Sequence, residues 1–425
     1  MNAAIDRLLS ARVRGSYAYM ALGAAVVAAL ALWITVARVP STPPPPQVPG
    51  TVAVPPMPAE SVEEVPPIWA QPRNSPGGPG VWGPDVSAPF DTLWRIHTGL
   101  EFFAAPAVHG GVLYFGGNDG RLRAVDASTG AEAWGHATSC GLSGESAVDS
   151  QRVFFGGQDG YLYALDRRTG ALDWSAGLGY SVFSGVGLLR DSLVIAGNSE
   201  GSVAALGARD GRVVWHDSPG GLILGPAVLD TIAVFTSEAG TVAAYGMSGR
   251  RAWCRDFQGV ASAPSISDGS VFAGFSDGVV RRLSLADGSV TWEADVAPGP
   301  GRCTISRPIA RNGRLYLGTC DSRVLCLDES TGETLWESRM ENWVQLPPAV
   351  GDSTVYVSCD DQRLHVLSAG DGSEILAVEL GGYSGSAPLL VNGVLYLGTA
   401  RGDFFAFRGT QRERPEESVP GQGGE

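Results

Sequence analysis

The sequence predicts an all-β protein whose main domain is an eight-bladed β-propeller with four antiparallel strands in each blade. One transmembrane helix and a Pro-rich segment are expected before it. Three observations carry this prediction: Trp recurs about every 40 residues from residue 94 onward, each period contains three turn signals, and the last period lacks a fourth strand. Repetition of a short unit with three turns and four strands is typical of propeller blades.

The N-terminal segment has the composition of a membrane anchor. Residues 15–37 carry no charge, and these 23 residues, at about 1.5 Å each, are long enough to cross a hydrocarbon core of about 30 Å. Three Arg residues precede the segment and only Arg38 closely follows it. The positive-inside rule therefore places residues 1–14 in the cytoplasm and the rest outside, in the periplasm. We expect a single-pass signal anchor in the inner (cytoplasmic) membrane; the alternative is a cleaved signal peptide, whose apolar region is normally shorter.

A Pro-rich segment follows at residues 38–89. It contains 16 of the 28 Pro residues, and Pro removes a hydrogen-bond donor and holds φ at about −65°. Such a composition favours a disordered, extended spacer of polyproline II type. The alternative is a proline-rich ligand for a partner module. At the other end of the chain, residues 408–425 are polar and are expected to be a disordered tail.

Residues 90–407 repeat one phrase that ends in Trp. The seven repeated residues are Trp94, Trp134, Trp174, Trp215, Trp253, Trp292 and Trp336. Their spacings are 40, 40, 41, 38, 39 and 44 residues. Asn312-Gly313 and Asn392-Gly393 are typical of type I′ hairpin turns, and Asp-Gly and Thr-Gly pairs mark the other two turns of a period. Three turns give four strands, and no helical period survives between them.

The strand count predicts how the ring closes. The inner three strands occur eight times, and a fourth strand follows the first seven of these triplets, the seventh with Leu376 in place of Trp. The polar tail follows the eighth triplet instead. Phe90 to His97, which contains Trp94, stands before the first triplet without inner strands of its own. We expect it to complete the eighth blade, because closure removes both exposed sheet edges.

The phrases AVDASTGAEAW (residues 124–134) and ALDRRTGALDW (residues 164–174) resemble the tryptophan-docking repeat of the pyrroloquinoline-quinone (PQQ)-like propeller family. CLDESTGETLW (residues 326–336) matches with Cys in place of Ala. The resemblance implies that the seven Trp residues pack neighbouring blades together. That family includes quinoprotein dehydrogenases, which hold the quinone and Ca²⁺ in the ring centre, and non-enzymatic propellers of the outer-membrane-assembly (BamB-like) type, which this chain resembles most.

Sequence motifs for catalysis are not found. The large quinoprotein alcohol dehydrogenases carry two adjacent Cys residues against the quinone, whereas none of the six Cys residues here are adjacent. Calcium-loop, Walker, nucleophile-elbow and zincin motifs are also absent, and the five His residues show no metal-ligand spacing. We therefore expect no catalytic residue, no metal and no cofactor. PQQ with Ca²⁺ belongs only to the alternative, a quinoprotein dehydrogenase.

Candidate binding residues lie where the innermost strands begin. Glu145 and Arg307 occupy equivalent positions four blades apart and therefore stand on opposite sides of the channel. We hypothesise that they polarise its mouth and orient a bound peptide or ligand; the alternative is that each is solvated or locally paired. The other candidates for a partner-binding rim are Glu101, Phe102, Tyr180, Phe183, Trp343 and Tyr383. Exposed aromatic side chains on one face mark a partner surface.

A disulfide bond between Cys303 and Cys320 is geometrically possible. Cys303 lies near the start of an innermost strand, and Cys320 lies at the end of the strand that the Asn312-Gly313 turn pairs with it. Cys326 takes a small-residue position of the repeat and is expected to be buried and free.

Charge excludes one class of partner. The chain has 30 basic and 44 acidic residues, a net charge of −14, which argues against binding to nucleic acid. We expect a membrane-anchored, extracytoplasmic propeller that acts as a non-catalytic protein-binding scaffold in the bacterial cell envelope, with envelope proteins as partners. A ligand-sensing receptor is a further alternative, although the few residues before the helix are too short for an output domain.

Overall fold

The computed structural model describes residues 81–82, 85–86, 89–99, 101, 105–142, 144–297 and 305–409. The expected membrane anchor at residues 15–37, most of the Pro-rich segment and most of the C-terminal tail lie outside these ranges. Within them, no helix has the length and apolar character that a membrane crossing requires.

The described residues form eight β-sheets, as the repeat predicts. Seven sheets have four strands and the eighth has five. The strands of blades 1 and 2 are β3 (Ala107–His109), β4 (Val112–Gly116), β5 (Arg121–Asp126), β6 (Glu132–Ala137), β7 (Ala147–Val148), β8 (Arg152–Gly156), β9 (Tyr161–Asp166) and β10 (Leu172–Gly177). The strands of blades 3 and 4 are β11 (Gly187–Leu189), β12 (Leu193–Gly197), β13 (Val203–Gly207), β14 (Val213–Asp217), β15 (Ile223–Leu229), β16 (Ile232–Ser237), β17 (Thr241–Gly246) and β18 (Arg251–Asp256).

The second half of the ring follows the same order of four strands per blade. Blades 5 and 6 contain β19 (Ser265–Ser267), β20 (Ser270–Gly274), β21 (Val279–Ser284), β22 (Val290–Asp295), β23 (Ile309–Arg311), β24 (Arg314–Gly318), β25 (Arg323–Asp328) and β26 (Thr334–Arg339). Blade 7 contains β27 (Ala349–Val350), β28 (Thr354–Ser358), β29 (Arg363–Ser368) and β30 (Glu374–Glu379). Blade 8 contains β31 (Leu389–Val391), β32 (Val394–Gly398) and β33 (Asp403–Gly409). Two N-terminal strands, β1 (Val81–Trp82) and β2 (Phe90–His97), complete blade 8.

Strand β2 closes the ring, as predicted. It pairs antiparallel with β33 over its whole length, with Phe90 opposite Gly409 and His97 opposite Asp403. The outer strand of blade 8 therefore comes from residues that precede blade 1. The strand β33 continues to Gly409, two residues beyond the propeller boundary that the sequence predicts.

The end of the Pro-rich segment differs from the expected disordered linker. Strand β1 pairs parallel with β31, the innermost strand of blade 8, with Val81 opposite Leu390. Because the other edge of β31 is taken by β32, β1 lies on the side that faces the channel axis. The free inner edge of β31 offers unpaired backbone groups, which explains why a short β-prone stretch pairs there.

The residues between β1 and β2 are also held on the propeller. The Asp85 carboxylate accepts hydrogen bonds from the Ser353 backbone N–H at 2.8 Å and from its hydroxyl at 2.6 Å. The Val86 N–H donates to the Tyr356 hydroxyl at 2.7 Å, and the Val86 side chain is buried. These contacts tie the chain to blade 7 just before the closing strand begins.

Local turn chemistry sets the strand register. Asn312 and Gly313 have φ values of 52° and 73°, and Asn392 and Gly393 have 49° and 71°. Positive φ at both central residues is what a type I′ hairpin turn requires, as the two Asn-Gly pairs predict. The core lies between neighbouring sheets, where apolar residues of the inner three strands are almost fully buried.

Antiparallel strands divide the loops between two faces. The loop from the fourth strand of one blade to the first of the next lies on the same side as the turn between the second and third strands. We call this side the loop face; it includes the loops 178–186, 340–348 and 380–388 and the turn 359–362.

Candidate functional site

The seven repeated Trp residues each join one blade to the next. Every indole N–H donates to a backbone carbonyl in the following blade, at 2.8 to 3.1 Å. In ring order the acceptors are the carbonyls of Ala127, Arg167, Ala208, Met247, Leu285, Glu329 and Ala369. Five of the seven side chains are buried and Trp174 and Trp292 are half-buried. The bonds satisfy the polar atom of each indole, so the residues have a geometry suited to blade packing.

A Gly lies against each of these indoles. The seven positions are Gly130, Gly170, Gly211, Gly249, Gly288, Gly332 and Gly372, with φ between +67° and +77°. A Cβ atom at any of them would lie 2.8 Å or less from the nearest indole atom. Gly is required at these positions for two reasons. Its backbone can adopt the left-handed conformation, and its lack of a Cβ atom allows the indole ring to pack directly against the backbone. The result is a rigid frame that presents the loop face.

Aromatic side chains are exposed on the loop face. Tyr180, Trp343 and Tyr383 have relative exposures of 54%, 38% and 55%, and all three lie in loops that lead into innermost strands. Phe183 is half-buried. Phe102 lies outside the described residues.

The acidic candidate Glu101 is exposed at the start of blade 1. Its carboxylate accepts a hydrogen bond from the Asn118 side-chain amide at 3.2 Å, and its carbonyl accepts from the Asn118 N–H at 3.0 Å. Glu101 thus fixes its loop to the adjacent turn and still faces solvent.

The structure brings Glu145 and Arg307 into direct contact. The Arg307 Nη1 lies 3.3 and 3.2 Å from the two carboxylate oxygens of Glu145. The side chains are 7% and 17% exposed, respectively. These residues precede the innermost strands of blades 2 and 6, four blades apart, so the ion pair crosses the channel mouth. The repeat register predicts that they stand on opposite sides of the channel; the structure shows in addition that their side chains meet across it.

A charged cleft of about 870 Å³ opens between blades 7 and 8. Its lining includes Arg95, His97, Glu379, Arg401 and Asp403. Asp403 accepts from Arg95 Nε at 2.8 Å and lies 2.8 Å from His97 Nδ1. Sequence reasoning missed this cleft because it forms only when the closing strand meets residues about 300 positions later in the chain.

The cysteines divide into two groups. Cys320 is disulfide-bonded, while Cys140, Cys254, Cys326 and Cys359 are free. Cys303, the predicted partner of Cys320, lies outside the described residues. Cys326 is buried and free, as expected, and burial raises the pKa of its thiol to about 11.

One further cluster was not found from the sequence. Cys359, Asp361 and His365 in blade 7 each offer one ligand atom, and these atoms all lie within 4.8 Å of one another. The five His residues show no metal-ligand spacing among themselves. The sequence signal for this cluster is instead the mixed spacing Cys-x-Asp-x₃-His across one hairpin turn.

Eight blades, joined at seven of their eight junctions by indole-to-carbonyl bonds, define a tryptophan-docked β-propeller of the PQQ-like type. Within this class, residues 91–198, 199–328 and 320–414 match the family described as outer membrane protein assembly factor BamB. The chain belongs to this family, as the resemblance of its repeats implied.

The known relatives include proteins of both functional types. The outer membrane protein assembly factor BamB of Shewanella oneidensis is 27% identical over 213 residues, which cover 46% of this chain and 53% of that protein. The dehydrogenase subunit of a quinone alcohol dehydrogenase from Gluconacetobacter polyoxogenes is 33% identical over 95 residues, 20% of this chain and 13% of that protein. The chain spans about half the length of the BamB relatives that it matches.

A solved structure supports the same architecture. BamB from Moraxella catarrhalis aligns with a TM-score of 0.64 at 19% identity, covering 75% of this chain and 99% of that one. Likeness at this level of identity shows the fold.

Proposed function

We propose that this protein is a membrane-anchored scaffold of the bacterial cell envelope that binds protein partners in the assembly of envelope or outer-membrane proteins. The observation that carries the proposal is the set of exposed aromatic residues on a rigid loop face. Aromatic side chains anchor protein–protein interfaces because they bury a large area at low entropic cost. The relatives named as outer membrane protein assembly factors support the assembly role.

The position in the cell rests on the sequence before the propeller. Residues 15–37 would anchor the chain in the inner membrane with its N-terminus in the cytoplasm, and the propeller would stand in the periplasm. The Pro-rich residues up to 80 would act as an extended spacer, since at about 3.1 Å per residue such segments reach far from their anchor. Partners would then be met at a distance from the inner membrane.

A quinone-dependent dehydrogenase is the second candidate function, favoured by the quinone alcohol dehydrogenase relative. Such an enzyme would hold a quinone with Ca²⁺ in the ring centre. Among the described residues, the Glu145 carboxylate at the channel mouth is 3.2 Å from the Arg307 guanidinium. A cation at this carboxylate would meet the positive charge of Arg307, so these residues do not fit a calcium site. We therefore derive no catalytic step from them.

The first test is recovery of partners by crosslinking. Wild-type chain and the double variant Trp343→Ala, Tyr383→Ala are crosslinked in cells and purified. We expect at least about tenfold lower recovery of envelope proteins by the variant, because losing an aromatic anchor costs about 2 kcal/mol or more.

The matched control is Leu335→Ala, Ile375→Ala, which removes apolar side chains that are 48% and 50% exposed but lie on the outer strands β26 and β30. This control should recover partners as wild type does. Equal recovery by all three proteins would contradict the proposed surface. A stoichiometric quinone with Ca²⁺ in the purified wild-type chain would instead establish the dehydrogenase.

A further inference from the structure

A cluster of buried polar side chains lies at the loop-face end of blade 7. Cys359 follows strand β28, Asp361 lies in the β28–β29 turn and His365 is the third residue of β29. Cys359 is fully buried, and the side chains of Asp361 and His365 are 6% and 5% exposed. A thiol, a carboxylate and an imidazole therefore meet in a place that water barely reaches.

The His365 ring is held from both sides by carboxylates. Its Nδ1 lies 2.7 Å from Glu374 Oε2, and its Nε2 lies 2.8 Å from Asp361 Oδ2. When Nδ1–H donates to Glu374, the Nε2 lone pair of the neutral ring points at the Asp361 carboxylate. In that tautomer Nε2 has a lone pair available to a metal ion, on the side of the ring where the ligand atoms of Asp361 and Cys359 also lie.

The geometry points to a metal ion: we propose that Cys359, Asp361 and His365 bind one divalent transition-metal ion of the zinc class. Thiolate, imidazole and carboxylate are the ligands that Zn²⁺ takes in proteins, at about 2.3, 2.0 and 2.1 Å. The Glu374 contact fits this role, because metal-bound His commonly donates its other ring N–H to a carboxylate. A sulfur ligand excludes Mg²⁺ and Ca²⁺ as the preferred ions.

Binding requires the three ligand atoms, which lie within 4.8 Å of one another, to move into one coordination shell. Tetrahedral nitrogen and oxygen ligands lie about 3.3 Å apart, so the 2.8 Å contact between His365 and Asp361 would widen. The Cys359 thiol donates to the Asn342 carbonyl at 3.3 Å and would release its proton to the solvent on becoming a thiolate ligand. Water would take the fourth position.

Other blades show that the fold does not need this combination. The Asp361 position and the position four residues later hold Asp119 and Arg123 in blade 1 and Asp277 and Arg281 in blade 5, and both pairs form salt bridges. The Arg side chain forms a salt bridge with the Asp of the turn, but a guanidinium group cannot bind a metal ion. Blade 7 replaces it with His, which can.

The Cys359 position is equally variable. Thr319 in blade 6 and Thr399 in blade 8 follow the second strand in the same way, and their N–H groups donate to the residue four positions later, as that of Cys359 does. A hydroxyl residue therefore supports the same turn. Among the described residues, blade 7 alone brings the ligand atoms of Cys, Asp and His within 4.8 Å of one another.

The cluster also braces the proposed partner surface. The Asp360 N–H donates to the Trp343 carbonyl at 3.0 Å, and the Asn342 amide donates to the Asp360 carbonyl at 3.3 Å. A metal ion that fixes the 359–362 turn would thereby also fix the loop that carries Trp343.

The test is Co²⁺ titration of the full 425-residue chain, followed by displacement with Zn²⁺. We expect one equivalent of Co²⁺ to bind with a thiolate-to-cobalt charge-transfer band, and Zn²⁺ to remove that band. Cys359→Thr and His365→Arg should abolish the band. Both variants carry a residue that other blades hold at the same position, so both should fold, as circular dichroism would show.

Two further variants sharpen the result. Glu374→Gln should weaken binding by about 10- to 100-fold, the range for losing a partner of a metal-bound His. Cys326→Ser, which removes another buried free thiol, should leave the titration unchanged. Absence of the band in the wild-type chain, or its persistence in Cys359→Thr, would overturn the proposal.

Discussion

Gly170→Ala is expected to lower the free energy of unfolding by about 2 to 5 kcal/mol, because it combines a strained backbone with overpacking of the blade interface. Gly170 has φ of +70°, and a Cβ atom there would lie 2.5 Å from Cε3 of Trp134. The Trp134 indole cannot withdraw, since its N–H donates to the Arg167 carbonyl at 2.9 Å. The loss is measured as a shift in the denaturation midpoint.

Gly179→Ala separates the two causes. Gly179 has a φ of +86°, yet a Cβ atom there would meet nothing within 4 Å. It should therefore show only the backbone penalty, about 1 to 2 kcal/mol. Equal losses for the two variants would mean that contact with the indole contributes nothing, which would contradict the packing role of the repeated Trp residues.

The fold could be predicted because its determinants are local and repeated. Asn-Gly, Asp-Gly and Thr-Gly pairs fix the turns by backbone conformation alone, and Trp marks the fourth strand of every blade except the seventh. Ring closure followed from one counting argument, since Phe90 to His97 had no inner strands to pair with. The contacts of Asp85 and Val86 with blade 7 could not be predicted in this way. The Pro-rich composition of the whole segment predicts an extended spacer, and two residues do not change that composition.

The site was less predictable because it depends on distances across the ring. The repeat register showed that Glu145 and Arg307 face the channel from opposite blades, but not how wide the mouth is. The exposure of Tyr180, Trp343 and Tyr383 follows from loop positions that the register does reveal. The cluster at Cys359 and His365 lies within one turn, so its spacing is visible in the sequence, but only the fold shows that the side chains are buried together.

Arg307→Ala is expected to lower the free energy of unfolding by about 3 kcal/mol, because removing one partner of a buried ion pair leaves the other charge desolvated. Glu145 is 17% exposed and Arg307 7%, so neither charge is well hydrated. Arg190→Ala is the matched control, since Arg190 pairs with Asp230 at 2.8 Å but both side chains are about 60% exposed. That variant should lose little stability, because exposed ion pairs contribute little.

The double variant Glu145→Gln, Arg307→Met tests whether the bridge matters as a charge pair or as packing. Replacing both charges removes the desolvated carboxylate charge, so stability should return close to that of wild type. A double variant as unstable as Arg307→Ala would mean that the shape of the Arg side chain, and not its charge, holds the channel mouth. If the double variant is stable and still recovers envelope partners, the bridge is structural and the partner surface lies on the surrounding loops. Loss of partners from a stable double variant would instead place the Glu145–Arg307 pair within the binding site.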